Sequence, residues 1–138
     1  MRERFESAAE AFSWTEQFAR IDRGDHEPRR HRLARMRRLL DPLGNPHQRL
    51  KALHVTGSKG KGSTAGFLAS ILRESGLRVG LYTSPHLERF AERVQIDGND
   101  VSEQRTVRRF YRLAEVVDRH YEAHDPWLPT TFELLTAF

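Results

Sequence analysis

The chain has 138 residues, with 23 Lys and Arg against 19 Asp and Glu for a formal charge of +4, and no cysteine. That length allows one domain at most, and the lack of cysteine excludes disulfides, thiolate metal sites and a cysteine nucleophile. No apolar run approaches the ~20 residues of a membrane helix, and the charged start Met1-Arg-Glu-Arg-Phe-Glu is unlike a signal peptide, so a cytoplasmic protein without a membrane partner is expected.

Residues from about Glu6 to Ile21 read as a helix, with Ala8, Ala11, Phe12, Phe18 and Ile21 set among charges and Trp14 as core or ligand contact. Asp22 to Pro28 is a polar break. A second helix is predicted over Arg29 to Leu40, with Leu33, Met36 and Leu40 at i, i+3 and i+7. Its other faces carry Arg29, Arg30, Arg32, Arg35, Arg37 and Arg38. A basic balance suits nucleic acid or a polyanionic small substrate. This arginine face has no interleaved aromatic residues and matches no recognition motif, so it reads as a solvated surface and no nucleic-acid partner is expected.

Asp41-Pro42-Leu43-Gly44-Asn45-Pro46 punctuates the end of that helix. A strand follows at about Leu50 to Val55, then the glycine-rich turn Gly57-Ser58-Lys59-Gly60-Lys61-Gly62-Ser63. The helix opening at Thr64 places Phe67, Leu68, Ile71 and Leu72 on one apolar face and ends at Gly76, a good C′ residue. Arg78 to Thr83 reads as a second strand. Strand, helix and strand within about 30 residues predict a βαβ unit with parallel strands and a right-handed crossover.

A short strand is expected at Val94-Gln95-Ile96, closed by a tight turn at Asp97-Gly98-Asn99. A longer helix should run from Ser102 to Ala123 with the stripe Val107, Phe110, Ala114, Val117 and Tyr121. After the Asp125–Pro129 loop, Thr130-x-x-Glu133 has capping-box spacing and opens the apolar run Leu134 to Phe138. The chain stops inside this helix, so it is expected to be part of a longer protein.

The glycine-rich turn carries the clearest chemistry. Glycines at 57, 60 and 62 permit positive φ and leave backbone N–H groups clear to converge on an anion. The helix behind them points its positive end at the same place. Lys61 can reach terminal phosphates, and Ser63 or Thr64 can offer a hydroxyl to a phosphate oxygen or to Mg²⁺. The spacing departs from G-x-x-x-x-G-K-[ST]: it is two residues shorter and puts Gly62 between lysine and serine. The competing explanation is an ordinary Gly/Ser/Lys surface loop. Ligands of an open parallel sheet collect outside the carboxyl ends of its strands, which puts Ser84 beside this cradle. A plain turn explains Ser84-Pro85 equally well, and a lone loop histidine such as His86 more often faces solvent. The capping box alone is a complete structural explanation of Glu133.

Three stretches together resemble a known family. His54-Val55-Thr56-Gly57-Ser58-Lys59-Gly60-Lys61-Gly62-Ser63-Thr64 resembles the phosphate loop of the Mur ligase superfamily. Gly80-Leu81-Tyr82-Thr83-Ser84-Pro85-His86-Leu87, with Glu92-Arg93-Val94-Gln95-Ile96-Asp97-Gly98, is similar to the folylpolyglutamate and dihydrofolate synthases, as is Thr131-Phe132-Glu133-Leu134-Leu135-Thr136. The resemblance implies an α/β fold, a P-loop-containing parallel-sheet ATP-binding domain of Mur ligase type. Residues 1–48 would be an N-terminal helical segment and 49–138 the beginning of that domain.

The implied activity is an ATP-dependent carboxylate–amine ligase adding L-glutamate to a folate or dihydropteroate through an acyl phosphate. ATP and Mg²⁺ would be its cofactors and a cytoplasmic monomer its form, with the present piece inactive alone. By matching motif positions, Gly57, Ser58, Lys59, Gly60, Lys61, Gly62, Ser63 and Thr64 would hold the triphosphate, with Lys61 catalytic. Ser84 and Glu133 would ligate Mg²⁺, and Pro85, His86 and Arg93 would lie near the folate. Lys59 stands where many bacterial members carry asparagine. The family's further metal-binding histidine, its modified lysine and its glutamate-binding domain would lie beyond Phe138. The alternatives are a non-catalytic P-loop nucleotide-binding module and a Mur-type ligase for a cell-wall precursor.

Overall fold

The computed structural model describes residues 4–19, 29–85, 90–123 and 125–138. The chain forms two compact units, Met1–Leu50 together with Gln104–Phe138, and Lys51–Glu103. The first unit is thus discontinuous: the sequence after residue 103 returns to it instead of extending the second.

The first unit is helical. Helix α1 (Ala8–Glu16) starts where the Ser7 hydroxyl accepts from Glu10 N–H at 3.1 Å, an N-cap that satisfies one of the first turn's orphan donors. It is shorter than the periodicity suggests, and Ile21 lies outside the described residues. Its inward face is Ala11 and Thr15, followed by buried Phe18.

Helix α2 (Arg29–Leu40) has the expected bounds and turns Leu40 and, in part, Met36 inward as expected, but not Leu33. Leu39 is fully buried and Leu40 nearly so, whereas Leu33 is 61% exposed. The buried line runs through Arg35 and Leu39, four residues apart, because Leu39 packs into the cluster of Phe18, Val116, Val117, Tyr121 and Leu134. Turning that line inward carries Leu33 out and brings an arginine in. The expectation of a fully solvated arginine face is therefore corrected at Arg35.

Helix α4 (Glu103–His120) follows its predicted stripe closely. Val107, Phe110, Ala114 and Val117 are all buried, as is Tyr121 just past its end. Each large apolar side chain so buried contributes about 1.5–3 kcal/mol. Helix α5 (Thr131–Ala137) opens with the full capping box, and Phe138 after it sets its ring 4.8 Å from that of Phe110.

The second unit holds the loop and a small sheet. Residues 51–57, exposed apart from half-buried Val55, run without a ladder among the described residues, so the strand expected at Leu50 to Val55 does not form there. Helix α3 (Lys61–Glu74) ends in a Schellman motif: Leu77 N–H donates to Leu72 C=O at 3.1 Å and Gly76 N–H to Arg73 C=O at 2.9 Å, with Gly76 at φ +81°. Strands β1 (Gly80–Tyr82), β2 (Val94–Ile96) and β3 (Asn99–Asp100) pair in that order.

Both pairings are antiparallel, with Gly80 opposite Ile96 and Ile96 opposite Asn99. Parallel pairing was the expectation for β1, and it is corrected at this level. A βαβ crossover needs a first strand to return to, whereas the ladder described for β1 runs to β2. The β2–β3 turn does form where expected, with Asp97 at φ +52° and Gly98 at +80°, the two positive values of a type I′ hairpin. Of the apolar face predicted on α3, Leu68 and Leu72 are half-buried while Phe67 (72%) and Ile71 (62%) are exposed.

Candidate phosphate-binding site

The loop ahead of α3 is shaped by two glycines. Gly57 sits at φ +153° and Gly60 at +74°, both outside the range L side chains readily adopt. Gly60 is the N-cap residue of α3, and its carbonyl accepts the helix's first bond, from Thr64 N–H at 2.9 Å. The N–H groups of Lys61, Gly62 and Ser63 therefore open the helix with no intrahelical acceptor. No acidic residue lies in that first turn, so nothing on the helix itself neutralises its positive end.

Lys61 folds back over the loop. Its Nζ donates to Gly57 C=O at 2.7 Å and to Ser58 C=O at 3.3 Å. The ammonium is thereby tethered to the start of the loop while its residue stays exposed, along with every other residue from 56 to 64. Exposed N–H donors, a helix N-terminus and a tethered ammonium within eight residues are the kinds of group that anion binding uses.

In the same unit, Thr83 N–H donates to Arg93 C=O at 2.9 Å, and its hydroxyl donates to Glu92 C=O at 3.4 Å. These bonds hold the start of the Ser84–Pro85 segment against the short 3₁₀ turn Phe90–Arg93. Ser84 and Pro85 are exposed and Arg93 half-buried, and the Thr83 bonds bring the residue just before Ser84 against the Arg93 backbone. His86 lies outside the described residues.

Glu133 belongs to the first unit. Its Oε2 accepts from Thr130 N–H at 2.9 Å and from the Thr130 hydroxyl at 3.2 Å, and Thr130 Oγ1 accepts from Glu133 N–H at 3.2 Å. The same Oε2 takes a third donor, Arg35 Nε, at 2.6 Å. Both side chains are almost sealed, at 6% and 8% exposure. Sequence reasoning missed Arg35. The available signal was its place four residues before Leu39 on one helical face. Among the described residues no group of three or more His, Asp or Glu is gathered to hold a metal.

No family model matches the chain. Curated proteins and solved structures do. It is 39% identical over 108 residues to the dihydrofolate synthase/folylpolyglutamate synthase of Bacillus subtilis, covering 76% of this chain and 24% of that protein. It superposes on the folylpolyglutamate synthetase from Lactobacillus casei with a TM-score of 0.79 at 34% identity, covering 95% of this chain and 31% of that one. It is likewise similar to the chain of a folylpolyglutamate synthase complex with AMPPCP and folate, with a TM-score of 0.71, 34% identity and coverage of 91% and 30%. The chain thus spans about a quarter of the length of the curated relatives it matches.

Proposed function

We propose that this chain, a relative of the folylpolyglutamate and dihydrofolate synthases with their Mur-ligase-type α/β fold, supplies the ATP-phosphate cradle of a carboxylate–amine ligase. The reaction we assign is the joining of L-glutamate to a folate or dihydropteroate. The observation that carries this reading is the loop from Gly57 to Thr64, where two positive-φ glycines, the open N–H groups of α3 and the tethered Lys61 fall within eight residues.

Phosphoryl transfer asks a protein mainly for positioning and for stabilisation of charge that moves onto phosphate oxygens. The N–H groups of Lys61, Gly62 and Ser63 would hold those oxygens, with Ser58, Lys59 and the Thr64 hydroxyl around them. Lys61 would exchange its two carbonyl partners for the terminal phosphate. The acceptor carboxylate then takes the phosphoryl group to become an acyl phosphate, and the glutamate amine displaces phosphate from it to leave an amide. Pro85, His86 and Arg93 would line the folate end.

The donor chemistry of Ser84 and Glu133, one residue in each unit, suits Mg²⁺. Ser84 brings a hydroxyl and Glu133 a carboxylate with one oxygen outside its hydrogen bonds, and this ion takes one or two protein oxygens alongside phosphates and water. When bound it would offset negative charge on the phosphates.

The test is glutamate-dependent ATP hydrolysis by the protein as its gene encodes it, with dihydropteroate or a reduced folate as acceptor. Lys61→Ala should cost at least about 100-fold in turnover, the scale of losing one charge-stabilising donor. Near-wild-type turnover in that variant, or hydrolysis indifferent to both acceptors, overturns the reading.

A further inference from the structure

We infer that the outward face of helix α4 is a docking surface for the phosphate backbone of a nucleic acid. This surface lies wholly within the first unit and uses none of the residues assigned to the phosphate loop, so it stands apart from the ligase reading.

Arg105, Arg108, Arg109 and Arg112 are all exposed and stand at i, i+3, i+4 and i+7, on the side of the helix opposite buried Val107, Phe110 and Ala114. No acidic residue stands between Glu103 and Glu115. Among the described residues none of the four arginines is in an ion pair. Every neighbouring pair along this face is therefore like-charged, an arrangement that destabilises a helix. Arg105 adds to this by standing in the first turn, at the helix's positive end. The helix gains nothing from these charges by itself, and a local rule broken without an internal compensation marks a functional surface.

The expectation of no nucleic-acid partner rests on helix α2, whose basic face is broken up by packing. There Arg35 is buried against Glu133, and Arg38 pairs with Asp125 at 3.5 Å and lies over the Tyr121 ring. Helix α4 keeps its four guanidiniums in solvent and sets half-buried Tyr111 among them, the kind of aromatic on which a base can stack. The stripe spans seven residues, about 10 Å of helix axis. A duplex carries one phosphate charge per about 1.7 Å of its axis, about six over that span. An extended acidic segment, rising about 3.3 Å per residue, offers about three at most, on alternate sides. The charge density of the stripe thus fits a phosphate backbone better than an acidic peptide, and guanidinium forks suit phosphate oxygens.

The experiment follows the binding of a fluorescein-labelled DNA duplex by anisotropy, with the protein as its gene encodes it, over about 50 to 200 mM salt. Four phosphate contacts give a log–log salt slope of about −3.6, a loss of about 150-fold in affinity across that range. R105A/R109A should bring the slope to about −1.8, a loss of about 12-fold, and R108A/R112A should act alike. R32A/R37A removes the same charge from helix α2 and should keep the wild-type slope. Absence of duplex binding at the lowest salt overturns the inference, as does a slope that the α4 variants leave unchanged. An α2 variant that lowers the slope as far also overturns it, since net charge alone would then be responsible. Labelled poly-L-glutamate binding as tightly as the duplex at equal charge overturns it in favour of an acidic protein partner. Both α4 variants remove like-charge pairs and should melt at or above the wild-type temperature; a lower melting temperature in both means that the arginines serve the fold, and the inference falls.

Discussion

Gly57→Ala tests whether the loop's backbone shape is what binds nucleotide. At φ +153°, residue 57 lies in territory essentially reserved for glycine, where another residue costs of order 1–3 kcal/mol. Space is not the obstacle, because a Cβ there would meet Lys59 O at 3.7 Å and Lys61 Cγ at 4.0 Å, both ordinary contacts. The cost is therefore conformational, and the exposed loop can avoid it by moving to negative φ, which swings the Gly57 carbonyl off Lys61 Nζ. The cradle is then a minor state, and apparent affinity falls by the fraction that remains competent. At 1.4 kcal/mol per tenfold, the expected weakening of AMPPCP binding is about 5- to 150-fold, with little change in melting temperature.

Calorimetric titration with AMPPCP measures it. Gly44→Ala is the control: its φ is also positive, +81°, in a turn of the other unit, so it should lower stability and leave affinity alone. AMPPCP binding by Gly57→Ala within about twofold of wild type, well short of the strain expected there, would refute the argument that the loop's φ values build the site.

Two further predictions follow from burial. Leu39→Ala should destabilise by about 2–5 kcal/mol in urea denaturation, as a fully buried leucine, while Leu33→Ala should stay within about 0.5 kcal/mol; equal effects would contradict the facing of α2. Burial pushes the Tyr121 phenol above its ordinary 10.0; the Arg38 guanidinium over its ring opposes this and the Asp125 and Glu133 carboxylates add to it. A raised folded pKa means the unfolded chain ionises first, so the stability held below pH 10.0 is lost as pH rises through the folded value. Tyr121→Phe should flatten the loss of stability above pH 10, and at neutral pH it should cost little because Tyr121 Oη has no partner. Parallel losses in wild type and variant would refute it.

The features the sequence determined by itself are those whose causes are local. The α4 stripe from Val107 to Tyr121 is a period of 3.6 residues against polar neighbours. The Thr130–Glu133 cap is a bond across three positions, and Asp97-Gly98 forms its hairpin because two adjacent residues tolerate positive φ. The glycine-rich loop belongs here as well: its shape comes from Gly57 and Gly60, and the helix end behind it from the residues that follow.

What only the tertiary structure decided is which of several locally equivalent options meets a distant partner. Helix α2 could turn Leu33 or Leu39 inward, and the cluster containing Val116 and Leu134 selected Leu39. Residues 50–55 have a strand's composition, but a strand is a relation between two segments, and β1 pairs with β2 instead. Glu133 carries a sufficient explanation within its own turn. That it also receives Arg35 depends on α2 and α5 lying side by side, because an ion pair across 98 positions exists only once long-range packing has brought its halves together.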